Sequence, residues 1–245
     1  MKNILLYLSD TLRGNNKEIY EFLSSEYQVN KSSIEEIQNK YKESGTNFIT
    51  VLNNEYPEDL FQNKIPPFVI YYKGNIRLLN TKNKFLICNE INNDKTDYFI
   101  QTRLNFGIQP FTLVITDFKK VHDKILERYS GIPYKRKIFI HCESLENVNL
   151  VTDEQKESEL HLSLYPLNSH PKKAYFKQSN YLLAAVADAL IIVSSNENTK
   201  IQGLVNAFLS YGKEIYCFPG LDINDGNTQF LREGAKLITK LVEIQ

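Results

Sequence analysis

The sequence predicts an α/β protein, a Rossmann-like parallel sheet with helices on both faces, preceded by a small α-helical N-terminal region. Three observations carry this. From Lys84 onward short runs rich in Ile, Leu, Val and Phe alternate with helical-period stretches of roughly ten to fifteen residues, as βαβ units with strands buried on both faces do. Before residue 48 the apolar spacing is helical instead. Near the end, the run Ile215 to Phe218 stops at Pro219-Gly220, a polar segment follows, and Gly226-Asn227 precedes a new helix-like run at Phe230 and Leu231, which reads as strand, turn and helix start.

Taken in order, residues 1–47 form the helical region. "NKEIYEFLSS" and "KSSIEEIQNKYKE" place apolar residues at helical spacing, and Ser32 with Glu35, or Ser33 with Glu36, offers a capping box. Residues 48–245 form the main domain, of which 48–80 extend the sheet at its N-terminal side: Phe48–Leu52 and Phe68–Tyr72 have strand character, with Pro66-Pro67 between them. "KFLIC", a polar helical stretch to Phe106, "TLVIT", a helix from Lys119 to Tyr129, "KIFIHC" and "LHLSLYP" follow. A helix from Tyr175 to Ala187, "ALIIVSS", a helix from Ile201 to Tyr211 and "EIYCFPG" complete the alternation. Gly220 is expected at positive φ after Pro219, the conformation glycine adopts without steric cost.

Composition narrows the function classes. The 245 residues carry 29 basic and 29 acidic side chains, so a nucleic-acid or membrane partner has to be met by a local patch, not by net charge. No apolar run approaches the about 18 residues of a membrane span, and the N-terminal run is too short for a signal peptide, so a cytoplasmic protein without a membrane partner is expected. Cys88, Cys142 and Cys217 each lie in an apolar run without metal-site spacing and read as reduced core residues. No nucleotide-binding glycine loop, metal cluster or nucleophile paired with a base is present, so no catalytic residue, metal or cofactor is expected. His141 and His161 lie within strands and read as structural, Asp188 as a turn residue, and the basic stretch Tyr134–Lys137 as surface.

Ligands of open α/β sheets collect at the carboxyl ends of the strands. Among the loops there, "PLNSHPKKAYFKQSN" brings Lys172, Lys173 and Lys177 around Tyr175 and Phe176 at a predicted helix start, a pattern that tracks a nucleic-acid backbone and stacks a base.

"YPEDLFQNKIPPFVIYYKGN", "AYFKQSNYLLAAVADALIIVSS" and "GKEIYCFPGLDINDGNTQFLREGA" stand in an order that resembles the DNA-processing protein A (DprA/Smf) family, over about Phe48 to Ile238. Tyr56, Pro57, Leu60, Pro66, Pro67, Tyr71, Tyr72, Lys73 and Gly74 match its first pattern, and Pro219, Gly220, Gly226, Asn227, Gly234 and Ala235 its last. The resemblance implies a non-enzymatic, homodimeric protein that binds single-stranded DNA and loads the RecA recombinase in natural transformation. It also adds Asn180, Gly220, Gly226 and Asn227 to Lys172, Lys173, Phe176 and Lys177 as the nucleic-acid-binding set. Where the family has G-S-R the chain has Cys88-Asn89-Glu90, and where it has R-N-R the chain has Ser179-Asn180-Tyr181, so the implied binding is weak. The alternatives are a scaffold of the same fold without DNA binding and a phosphoribohydrolase-like enzyme with Glu233 as its acid.

Overall fold

The computed structural model describes residues 1–25, 29–106, 110–116, 119–132 and 135–244; Tyr134 of the basic stretch lies outside them. Helices α1 (Lys2–Thr11), α2 (Asn16–Leu23) and α3 (Lys31–Glu43) come first, followed by strands β1 (Asn47–Thr50), β2 (Val69–Gly74) and β3 (Lys84–Asn89). Then come α4 (Asp94–Arg103), β4 (Thr112–Thr116), α5 (Lys119–Ser130), β5 (Arg136–His141), α6 (Asp153–Ser158) and β6 (Glu159–Ser163). The chain closes with α7 (Lys173–Val186), β7 (Ala189–Ser194), α8 (Gln202–Ser210), β8 (Glu214–Cys217), α9 (Gly226–Arg232) and β9 (Lys236–Leu237). Contacts divide the chain into two units, Met1–Asn80 with Phe139–Ser179, and Thr81–Ile138 with Asn180–Gln245.

The first unit orders its strands β1-β2-β6-β5. β1 pairs antiparallel with β2 from Asn47↔Tyr72 to Thr50↔Val69, and β2 antiparallel with β6 from Tyr71↔Ser163 to Gly74↔Leu160. The connection from β5 to β6 carries only the six-residue α6, about 9 Å long, and β6 lies between β5 and the antiparallel β2. Leu5 and Leu6 of α1 and Tyr41 of α3 join Val69, Tyr71, Leu145 and Leu167 in one core. Within it the Tyr41 and Tyr71 rings stack 5.2 Å apart. The Tyr41 hydroxyl donates to Asp10 at 2.8 Å and accepts the Leu167 N–H at 3.2 Å, and the Tyr71 hydroxyl donates to Ser9 at 2.8 Å. Burial pushes both phenols far above their ordinary ionisation range.

α3 begins ahead of both capping boxes expected for it. Asn30 is the N-cap, its side chain accepting the Ser32 N–H at 3.1 Å, and Ser32 and Ser33 lie inside the helix. Asn outcompetes Ser here because its carbonyl reaches the N2 amide directly.

The second unit orders its strands β4-β3-β7-β8-β9, with β3–β4, β3–β7, β7–β8 and β8–β9 all parallel. The chain leaves β3 for β4 on one side and returns to β7 on the other, so the switch point lies between the carboxyl ends of β3 and β7. The strands are buried, with Leu86, Ile87, Leu190, Ile191 and Ile192 fully enclosed, and Cys88 and Cys217 here, like Cys142 in the first unit, are buried thiols outside any disulfide. Asp188 fixes the entry to β7, accepting the Lys84 N–H at 2.8 Å and pairing with the Lys84 ammonium at 3.0 Å.

Candidate nucleic-acid interface

In the first unit, the segment entering α7 carries the cations and rings singled out above. Lys172, Lys173 and Lys177 are exposed, and Tyr175 and Phe176 are half-buried. Tyr175 lies face to face with the buried Tyr165, their ring centroids 3.6 Å apart, and the Lys172 ammonium sits 5.6 Å from the Tyr175 centroid on a cation–π contact. The Tyr165 hydroxyl donates to the Tyr175 carbonyl and the Gln178 side chain, each at 3.1 Å, and burial raises its pKa. This buried ring is the platform that orients the segment.

The turn before it is equally fixed. Asn168, at φ 62°, donates its N–H to Glu146 at 2.7 Å, and the exposed Arg13, at φ 53°, places a guanidinium nitrogen 3.4 Å from the Leu167 carbonyl. Arg13 and Tyr165 escaped the sequence reading; Arg13 lies more than 150 residues away in the chain, and the apolar run around Tyr165 marks it only as core. Lys172 sits over the Tyr175 ring, and the exposed Lys173 and Lys177 flank Tyr175 and Phe176 in the chain, a combination of charge and aromatic surface that suits a polyanion with unstacked bases.

In the second unit, Gly220, Gly226 and Asn227 come together around Asp225. The Asp225 carboxylate, as N-cap of α9, accepts the N–H groups of Leu221 at 2.6 Å, Asp222 at 3.0 Å and Thr228 at 2.9 Å. Gly220 is therefore needed for a different reason from the one expected: its φ is not positive, and a Cβ there would run into the Thr228 hydroxyl and the Asp225 carboxylate. Close packing demands glycine here, where turn chemistry was predicted to. A Cβ on Gly226 would meet the Asn196 carbonyl and the Ser195 hydroxyl, and the Gly226 N–H donates to the Ser195 carbonyl at 3.1 Å.

Asn227 is buried and fully used. It accepts from the Ser195 hydroxyl at 2.7 Å and donates to the carbonyls of Val193 at 2.9 Å and Phe218 at 3.0 Å, which ties the ends of β7 and β8 to the start of α9. Asn180, half-buried on α7, lies beside Gly203 of α8. At the switch point Asn89 accepts from the Ser194 hydroxyl at 2.6 Å, and the next residue, Glu90, accepts the N–H groups of Asn196 at 2.9 Å and Lys200 at 2.8 Å and the Thr199 hydroxyl at 2.7 Å. The strand-end donors of this unit are thus held by two internal carboxylates, Glu90 and Asp225. The Asp-x-x-Thr spacing before α9 could have revealed the second from sequence; nothing local reveals the first.

His141 and His161 form a pair in the first unit, with Nε2 of His141 2.9 Å from Nδ1 of His161 and Glu159 3.5 Å beyond, and Phe139 stacked on His161. Burial and the neighbouring imidazole hold His141 down to about 3, so it is neutral at pH 7. Glu233 is exposed and accepts from Gln229 of its own helix at 2.9 Å. Among the described residues no group of three His, Cys, Asp or Glu side chains could hold a metal ion.

Comparison with known proteins fits this architecture. Residues 139–245 match the family model for DNA recombination-mediator protein A. The chain is 25% identical over 216 residues to DNA processing protein DprA of Bacillus subtilis (strain 168), covering 83% of this chain and 72% of that protein. Its fold is similar to the crystal structure of DNA processing protein A from Streptococcus pneumoniae, with a TM-score of 0.71, 18% identity, and 100% and 96% of the two chains covered. It is also similar to DNA processing protein A from Helicobacter pylori, whose structure was described for its single-stranded DNA binding mode, with a TM-score of 0.64, 21% identity, and 82% and 94% covered. Over residues 139–245 the chain is thus similar to the DNA recombination-mediator protein A family, and its fold is similar to that of the DNA processing protein A structures.

Proposed function

We propose that this protein binds single-stranded DNA without marked sequence preference and acts, as a cytoplasmic homodimer without catalytic activity, in RecA-dependent recombination of DNA taken up by the cell. The observation that carries the reading is the segment at the start of α7, where exposed Lys172, Lys173 and Lys177 flank in sequence the half-buried Phe176 and the half-buried Tyr175, which stacks on Tyr165. Such a surface attracts phosphates and offers π-faces to bases of any identity. The similarity of residues 139–245 to the DNA recombination-mediator protein A family supports the DNA-processing role, and among the described residues no helix is long and apolar enough to cross a membrane.

Titration of fluorescent oligo-dT at two salt concentrations, with duplex of the same length as competitor, tests the reading. The expected result is weak, salt-sensitive binding, about micromolar, that favours the single strand. A second reading, a scaffold of the same fold without DNA affinity, draws support from the filled donors around Glu90 and Asp225. No binding at low salt would select it.

A further inference from the structure

Three donors converge on the Glu90 carboxylate. Oε2 takes the Asn196 N–H and the Thr199 hydroxyl, and Oε1 takes the Lys200 N–H, so both oxygens are engaged at once. The residue itself is anchored: its N–H donates to the Ser194 carbonyl at 2.9 Å, and the following Ile91 N–H donates to the Ser194 hydroxyl at 3.1 Å. These donors lie between the end of β7 and the start of α8, at the switch point, where backbone N–H groups and a helix dipole favour negative charge. A tethered carboxylate supplies that charge from within the chain. An external anion would have to displace it and restore three hydrogen bonds to Glu90 elsewhere.

We propose that Glu90 is a specificity-determining residue that excludes phosphate from the β7–α8 loop, occupying it as an internal anion and leaving DNA contacts to the first unit. The consequence for DNA rests on the function proposed above; the exclusion of phosphate does not. Removing the carboxylate leaves the amides of Asn196 and Lys200 and the Thr199 hydroxyl free to take an oxyanion.

The test uses the full chain, isotopically labelled, with inorganic phosphate titrated at constant ionic strength while the Asn196 and Lys200 amide resonances are followed. In the parent these resonances should not move. In Glu90→Ala they should shift saturably, with phosphate bound at least about tenfold more tightly than any residual parent response, the scale of a charge at a helix start. Glu90→Gln keeps the size of the side chain without its charge and should also gain a response, so it decides the matter if the Ala variant does not fold. Parent shifts as large as those of the variants would overturn the proposal, and so would folded variants whose two amides ignore phosphate. If oligo-dT binds the parent, the salt slope should rise in Glu90→Ala by one phosphate contact, about 0.7. If oligo-dT fails to bind, the proposed function falls while the phosphate measurement still stands.

Discussion

Truncating Asn227 to Ala separates a structural role from a ligand contact at the position where the two compete. The side chain closes three buried hydrogen bonds, from Ser195 and to the carbonyls of Val193 and Phe218, and no other group described there replaces them. Each such bond contributes about 1 kcal/mol net, and a buried partner left bare costs about 1 to 3 kcal/mol, so the loss should come to about 3 to 5 kcal/mol. For a chain of this size that corresponds to a fall of roughly 10 °C in melting temperature. Asn227→Asp should be at least as harmful, because a carboxylate cannot donate to the two carbonyls it faces. Thermal melting by circular dichroism, run beside oligo-dT titration of the same samples, provides the assay. A folded Asn227→Ala variant that melts with the parent but loses DNA affinity would refute this account and return Asn227 to the set of direct contacts.

Gly220→Ala should cost about 1 to 3 kcal/mol through overpacking against Asp225 and Thr228, and Gly220→Asn should be worse, whereas a left-handed residue would tolerate Asn best; melting curves rank the two. Charge reversal of Lys172 and Lys173 to Glu should weaken oligo-dT binding and lower the salt slope by about 0.7 per lost phosphate contact, and unchanged affinity and slope would eliminate the α7 segment as the interface. Phe176→Ala should lower affinity by a stacking term of about 1 to 3 kcal/mol at constant slope if the ring meets a base, while a melting loss of about 3 to 5 kcal/mol would make it a packing residue. Because His141 is held down to about 3 in the fold and titrates near 6.5 when unfolded, the unfolded chain binds the extra proton between those values. Stability should therefore fall as pH drops below 6.5, by about 1.4 kcal/mol per unit for this group, until pH approaches 3. Urea denaturation across pH 4 to 7 reads the slope, and His141→Gln should flatten it relative to the parent.

The elements of the second unit were legible because its strands are apolar runs buried on both faces, so "TLVIT" and "ALIIVSS" announce themselves without partners. In the first unit pairing depends on partners far apart in the chain: Tyr71 finds Ser163 across about ninety residues, and no local pattern encodes that choice. Helix starts were blurred for a local reason, since Asn30 and Ser32 both satisfy the chemistry of a cap and only the backbone selects between them. In the candidate site the lysines were visible as charge beside aromatics, while Tyr165 looked like one more core residue. Glu90 could be read as a carboxylate in an unexpected place, but its inward turn depends on amides more than a hundred residues away.

The hydroxyl of Tyr41 bridges two stretches of the first unit, donating a hydrogen bond to Asp10 on α1 and accepting one from the N–H of Leu167 in the turn ahead of α7. The N-terminal helices consequently act as a mould for that turn. A deletion lacking residues 1–47 would remove Arg13, Tyr41 and the carboxylate behind it in one cut, and Leu167 would lose both of its side-chain anchors. Weakened DNA binding by such a truncation would thus measure the loss of shape in the loop. It could not assign contacts to the deleted helices, for which the point substitution Tyr41→Phe, removing one hydroxyl, is the cleaner instrument.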